Sequence, residues 1–216
     1  ETLYYLRVLR AFVVKIKKHI MKIKHKKYDK YKPSGIEWLG DIPTGWAYWK
    51  IAHIFELGRG RVIDNGKLID NGQYPLYSSQ TKSDGVFGYL DTFDFNGEYL
   101  TWTTDGANAG TVFHRTGKFN CTNVCGTLKK VNGDVSVKFI GHALNCYTPY
   151  FVRHDINPKL MNDVMSKINI YIPPLPEQQA IAAFLDTKTA QIDQLIADKR
   201  RLIALLGERK QIVINN

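Results

Sequence analysis

The chain has 216 residues, enough to bury a sizeable core and to form one ordinary domain with an appendage, or two small domains. Hydrophobic residues at 44%, aromatics at 12% and charged residues at 23% exclude a disordered or collagen-like chain. The formal charge of +10 is unevenly spread: residues 1–27 hold nine basic residues and one acid, against 21 and 19 in the remainder. The positive excess therefore describes mainly a tail, which suits a polyanion or an anionic surface and says nothing of sequence reading.

From Leu9, the apolar residues Val13, Ile16, Ile20 and Ile23 recur at three- and four-residue spacing with lysines between them, predicting a basic amphipathic helix over 1–27. Docking of its apolar stripe on the domain and direct phosphate contact are both open. Pro33-Ser34-Gly35 breaks that pattern, so a main domain is expected over 28–174. Between Ile51 and Lys138, short apolar and aromatic runs alternate with turn signals at Asp64-Asn65-Gly66, Asp70-Asn71-Gly72 and Asn96-Gly97. This is the texture of a strand-rich domain. Short helices are expected over 137–147 and 158–168, and a last strand over 169–172, before Pro173-Pro174.

Leu175-Pro176-Glu177-Gln178 sets a proline and an acid at a helix start, both favourable there. Up to Val213 no further proline follows, and Gly207 is the only glycine. Ile181, Leu185, Ile192, Leu195, Leu202 and Leu206 fall on the alternating spacing of a coiled-coil seam, with Lys188 and Lys199 at two seam positions. The fold class is therefore α+β: a strand-rich domain followed by a long helix over 175–216. At ~1.5 Å per residue such a rod outreaches a domain of this size, so part of its stripe needs another helix.

Enzyme motifs are missing. Gly58-Arg59-Gly60-Arg61 lacks the third glycine of a dinucleotide fingerprint, Ile63 standing in its place, and no Walker sequence, Gly-x-Ser-x-Gly elbow or His-Glu-x-x-His helix occurs. Tyr147-Thr148-Pro149-Tyr150 lacks the leading amide and first proline of the amino-methyltransferase motif. Cys121 and Cys125, with His114 and His142 far off in sequence, lack the second tight pair of a zinc site. With Cys146 they read as free thiols in a reducing cytoplasm. No catalytic centre, metal or cofactor is expected. The longest apolar run, Ala180 to Leu185, falls far short of the ~20 residues that cross a bilayer, so no membrane role is expected either.

Two stretches carry a resemblance. The segment from Ser34-Gly35-Ile36-Glu37-Trp38-Leu39-Gly40-Asp41 to Ile42-Pro43-Thr44-Gly45-Trp46 resembles the opening of a target recognition domain in the specificity subunits of type I restriction-modification enzymes. Ile172-Pro173-Pro174-Leu175-Pro176-Glu177-Gln178-Gln179-Ala180-Ile181 is similar to that family's exit into its spacer helix. Tyr74 to Thr81, and Gly88-Tyr89 to Asn123-Val124-Cys125-Gly126, are similar to the same recognition domains, so the match runs over 34–213.

The resemblance implies a non-catalytic subunit that selects the double-stranded DNA sequence at which methyltransferase and motor-nuclease subunits act. Family members carry two recognition domains and two helices, whereas this chain has one of each. A half subunit is therefore expected, forming a homodimer through antiparallel helices and reading an interrupted palindrome.

Recognition domains differ where they set specificity, so contacts are assigned from chemistry. Arg59, Arg61, Ser79, Gln80, Thr81, Lys82, Thr104, Asn108, Arg115 and Asn123 fall in predicted loops or their edges. Gln80 and Asn108 suit base edges; the arginines and Lys82 suit phosphates. Gly106 and Gly110 suit tight turns. The rival readings are a nonspecific nucleic-acid binder, which would need an open aromatic platform, and a coiled-coil scaffold, which would leave the middle domain idle.

Overall fold

The computed structural model describes residues 28–154 and 156–215; the basic segment 1–27 lies outside the described residues. Two compact units divide between Gly45 and Trp46. In the first, β1 (Tyr31–Pro33) pairs antiparallel with β2 (Asp41–Pro43). The connecting turn is shaped by Ser34, whose Oγ accepts the Ile36 amide at 3.0 Å, and by Gly35 and Gly40, both at positive φ.

The second unit opens with a two-stranded ladder of β3 (Ala47–Lys50) and β10 (Asn169–Ile172), followed by a helical turn, α1 (Ile51–Ile54). Its main feature is a six-stranded sheet: β4 (Phe55–Arg59), β5 (Tyr74–Tyr77), β6 (Val86–Leu90), β7 (Phe95–Thr103), β8 (Val112–Cys121) and β9 (Cys125–Lys130). The strand order is β4-β9-β7-β8-β5-β6, antiparallel except for the β5/β8 pair.

The sheet curls so that the chain beyond β4 closes on the β8–β9 end. Beyond β4, the Gly60 amide donates to Cys125 O at 3.0 Å and the Arg61 amide to Cys121 O at 3.1 Å, and Arg61 bridges Thr122 in parallel. A Cβ at Gly60 would collide with the Cys121 and Thr122 carbonyls, so only glycine permits this approach. The curl is helped by Gly97 and Gly117, opposite each other on β7 and β8 at φ +123° and +81°. Asn96-Gly97 is thus a bend within a strand and not the turn its dipeptide suggests. Inside the curl, Tyr99, Phe119, Cys121 and Cys125 cluster with Tyr77 and Phe95.

On the other face of β7 and β8 lies α2 (Val137–Tyr147), which fills its predicted range. Ser136 caps it by accepting the Phe139 amide, and Val137, Ile140, Gly141 and Leu144 form the buried stripe. Gly141 lets the helix approach Leu100, whose Cδ2 is 2.9 Å from where a Cβ would stand. Asn145 ties the helix to the sheet by bonding both the N–H and the carbonyl of Val112 at 2.8 Å. The helix expected over 158–168 is cut to α3 (Asn162–Met165), because residues 158–160 are extended and bridged to residues 104–106, just beyond β7.

The last element, α4 (Leu175–Asn215), has 41 residues and is ~60 Å long at ~1.5 Å per residue. Among the described residues, its first turns carry the anchoring bonds. Gln178, 1% exposed, accepts the Ser136 amide at 2.9 Å and donates to Pro173 O at 2.8 Å. Asp186 bonds His142 at 2.8 Å and Lys138 at 3.1 Å. Of the expected seam, Ile181 and Leu185 are half-buried in this anchored part, whereas Ile192, Leu195, Leu202 and Leu206 are exposed, as is every residue from 189 to 214.

Two outcomes follow. Gly126 abuts the buried Trp102 indole, which a Cβ would penetrate, so Gly126→Ala is expected to cost about 1–3 kcal/mol in urea unfolding, the usual range for overpacking. His142 first, then Lys138, hold the Asp186 carboxyl below its ordinary 3.8. A depressed carboxylate stabilises above its unfolded pKa and loses that contribution as pH falls through the folded value. Asp186→Asn is therefore expected to be less stable than wild type at about pH 5 and to lose the difference below about pH 4, measured by urea titration at each pH.

Candidate nucleic-acid interface

The closure described above brings five loops together at one end of the curled sheet. Their hub is the tight β8–β9 turn, Thr122-Asn123-Val124, each residue of which engages a different loop. The Thr122 amide donates to Tyr77 O at 2.9 Å, and its hydroxyl donates to Ser78 Oγ at 3.1 Å. The Asn123 carbonyl accepts from Arg59 Nε. The Val124 carbonyl accepts the Thr104 amide at 2.9 Å.

Arg59 ends β4 with its side chain 39% exposed and its guanidinium 3.7 Å from Asp105. Arg61, half-exposed, donates through Nε to Asp94 at 2.8 Å. Ser79 and Asn108 are joined directly, the Asn108 amide donating to Ser79 O at 3.2 Å. The Asn108 main-chain carbonyl accepts the Thr103 hydroxyl at 2.7 Å, which closes its own loop, while its side-chain amide joins that loop to Ser79. Gly106 and Gly110 hold positive φ in this second loop. Thr104 is fully buried and gives its hydroxyl to Asp105 at 2.8 Å. Asn123, Thr81 and Lys82 are exposed, while Gln80 is half-buried with its amide turned to Val86 O.

Arg115 departs from expectation. It sits on β8, not in a loop, and is only 3% exposed, because odd-numbered residues of that strand face the inside of the curl. Its guanidinium lies 3.6 Å from the Tyr77 ring centroid and 4.5 Å from that of Phe113. It donates to the Asp84 carboxylate at 2.5 Å and the Asp84 carbonyl at 2.7 Å. Burial pushes the Tyr77 phenol up, so a neutral ring faces the cation. Asp84 and Ser83 both hold positive φ, at 54° and 49°, in the turn Lys82–Gly85. Arg115 is thus the strut that holds the 78–85 loop in a strained shape.

Sequence reasoning missed Lys159 and Asp105. The segment before α3 joins the cluster through main-chain bonds: Gly106 N to Pro158 O at 3.0 Å and Leu160 N to Thr104 O at 2.9 Å. Trp102 Nε1 fixes it from beneath by donating to Leu160 O at 2.9 Å. Lys159 then reaches Asp105 at 3.6 Å. The available signal was Asn157-Pro158, a turn dipeptide that argues against a helix starting there.

The metal reading finds no support in the geometry. Cys121 and Cys125 are buried inside the curl, where their mutual hydrogen bond and burial push the Cys121 thiol up, while His114 projects from the opposite face of β8. Among the described residues no cluster of three or more His, Cys, Asp or Glu could hold a metal ion. Nor is any described helix long and apolar enough to cross a membrane.

A curled sheet presenting polar and basic loops is joined to a long helix that, among the described residues, is bonded to it near its start. Residues 43–203 match the family model described as the type I restriction modification DNA specificity domain, and the chain belongs to that family. It is 44% identical over 141 residues to the putative type I specificity subunit S.MpnORF289P N-terminus of Mycoplasma pneumoniae (strain ATCC 29342 / M129 / Subtype 1), covering 64% of this chain and 75% of that one. It is 42% identical over 140 residues to the type I restriction enzyme MpnII specificity subunit of the same organism, covering 63% and 42% respectively.

Solved structures share the fold. The type I S subunit from M. genitalium superposes with a TM-score of 0.59 at 18% identity, over 70% of this chain and 41% of that one. The HsdS subunit from Thermoanaerobacter tengcongensis gives 0.59 at 15% identity, over 90% and 49%. The chain thus matches less than half the length of each of these two structures.

The strut role of Arg115 has a measurable consequence. Asp84→Ala leaves a buried guanidinium without its carboxylate and is expected to cost about 1–3 kcal/mol, the range for an orphaned buried polar group. Hydrogen exchange of the 78–85 amides should rise more than that of β7; equal protection in both variants would contradict the assignment.

Proposed function

We propose that this chain is a sequence-reading subunit of a type I restriction-modification system, with the five-loop cluster facing duplex DNA. The observation that carries the reading is the convergence of Arg59, Arg61, Asn108, Asn123 and Lys159 around one three-residue turn, in a chain of the DNA specificity domain family. Such a cluster can set cations against phosphates while short amide side chains meet base edges. Arg59, Arg61 and Lys82 take the phosphate role and Asn108 and Asn123 the base-facing role, with Ser79, Gln80, Thr81 and Thr104 shaping the loops. Arg115 acts beneath them through Asp84.

In this reading residues 28–174 form the recognition domain and 175–216 a spacer. Methyl transfer and DNA cleavage belong to partner methyltransferase and restriction subunits, in the cytoplasm where the DNA lies. The exposed stripe Ile192, Leu195, Leu202 and Leu206 calls for a second helix. A second copy of the chain, antiparallel about a two-fold axis, supplies one and yields a bipartite target with symmetric halves.

Binding-site selection on the chain assembled with a methyltransferase partner is expected to enrich an interrupted palindrome; an asymmetric bipartite motif would exclude the homodimer. Sedimentation should show a dimer for the wild type and protomers for Leu195→Lys/Leu202→Lys, with melting of the recognition domain unchanged.

A further inference from the structure

We propose that Asp105 is the free protein's stand-in for a DNA phosphate: its carboxylate keeps Arg59 and Lys159 converged on one point, and a backbone phosphate takes that place on the duplex. The inference rests on the reading of the loop cluster as DNA-facing.

Three observations carry it. First, two cations from distant parts of the chain straddle a single carboxylate, Arg59 approaching Oδ2 and Lys159 approaching Oδ1. The group leaves one positive charge over, and a phosphate diester offers the same single negative charge on two oxygens. Second, the backbones of both cations are placed by bonds that do not involve the Asp105 carboxylate. Arg59 is held through Nε by the Asn123 carbonyl, and Lys159 by the main-chain bonds on either side of it. The backbones that carry the two cations, Lys159 directly opposite residue 105 in an antiparallel bridge, therefore stay in place when the carboxylate is displaced.

Third, the contacts are loose. At 3.7 and 3.6 Å, with the cationic side chains 39% and 44% exposed, they are ion pairs without hydrogen bonds and cost little to exchange. The neighbouring Arg61 to Asp94 contact, at 2.8 Å, is a charge-assisted hydrogen bond. Asp105 keeps the Thr104 hydroxyl as a donor at 2.8 Å, so the carboxylate remains satisfied when the cations turn to DNA.

The consequence is selectivity. A carboxylate at this point competes with every phosphate alike, so it lowers affinity for all sequences and leaves discrimination to the base contacts. Asp105 thus restrains binding to the excess of non-target DNA.

The test uses the full chain and a random-sequence duplex, titrated by fluorescence anisotropy over a salt series, with melting temperatures alongside. Asp105→Asn keeps an acceptor for Thr104 and is expected to bind about three- to tenfold tighter at low salt, with the log–log salt slope little changed because the same phosphate contact forms. Lys159→Met is expected to bind more weakly, with the slope shallower by about one. If Asp105→Asn melts early, Lys159→Met decides, since main-chain bonds hold its segment: an unchanged slope overturns the proposal. Unaltered binding by a well-folded Asp105→Asn, with the wild type binding DNA, overturns the role of Asp105 alone. A wild type that binds no duplex at any salt overturns the DNA-facing reading and this role with it.

Discussion

The fold depends on a meeting of backbones at the β8–β9 turn. A sheet of six strands has two open edges, and here the chain beyond one edge strand is brought round to the far end of β8, where Gly60 and Arg61 bond Cys125 and Cys121. That contact adds to the bonds by which the turn Thr122-Asn123-Val124 already holds Tyr77, Ser78 and Thr104. With it, the turn becomes a junction holding the loops that follow β4, β5 and β7. The bonds are individually ordinary, each contributing about 0.5–1.5 kcal/mol net. Their leverage comes from fixing the ends of several long-range connections at once.

Closure also explains why the interior is partly ionic. A curl this tight leaves a narrow inner face, filled by Tyr99, Phe119 and the two thiols at one level and by Arg115 at another. A buried guanidinium needs partners, and it finds an aromatic ring on either side and Asp84 above. The arrangement links the core to the 78–85 loop, so that a loop of small polar residues keeps one shape. Rigid placement matters for any site that reads a periodic ligand, because loose loops spend binding free energy on ordering.

Much of this was legible in the sequence, and the divide follows a physical line. Elements specified by local chemistry could be read directly. Ser136 followed by the 137, 140, 141, 144 stripe defines α2, and the proline and acid at the start of α4 with no later breaker define the long helix. Opaque features are those set by contacts distant in sequence. Asn96-Gly97 carries the chemistry of a turn yet lies mid-strand, since the glycine is needed where β7 bends opposite Gly117. Arg115 looks like any surface arginine until strand parity turns it inward. Lys159 becomes part of the candidate site only because residues 158–160 pair with residues 104–106, just beyond β7. The candidate loops were found by composition, but which of their side chains stitch loops together, as Asn108 does, required the coordinates.

The long helix raises a mechanical question that the anchored segment answers. A rod that touches its domain at one point would swing, and a swinging rod cannot measure distance. Three features prevent this: Gln178 is locked to both Ser136 and Pro173, Ala182 is buried, and Asp186 is bonded by His142 and Lys138 of α2. They recur every four residues along one face and so fix the direction of the axis as well as its position. The same α2 is bound to the start of β8 through Asn145, and β8 ends at the loop junction. Secondary-structure elements therefore connect the long helix to the clustered loops without an intervening linker. In the proposed dimer, the separation of two reading heads is then a property of helix length and pairing register, and an insertion of whole turns into α4 would move the heads apart while preserving their relative rotation, whereas a partial turn would misphase them on the duplex.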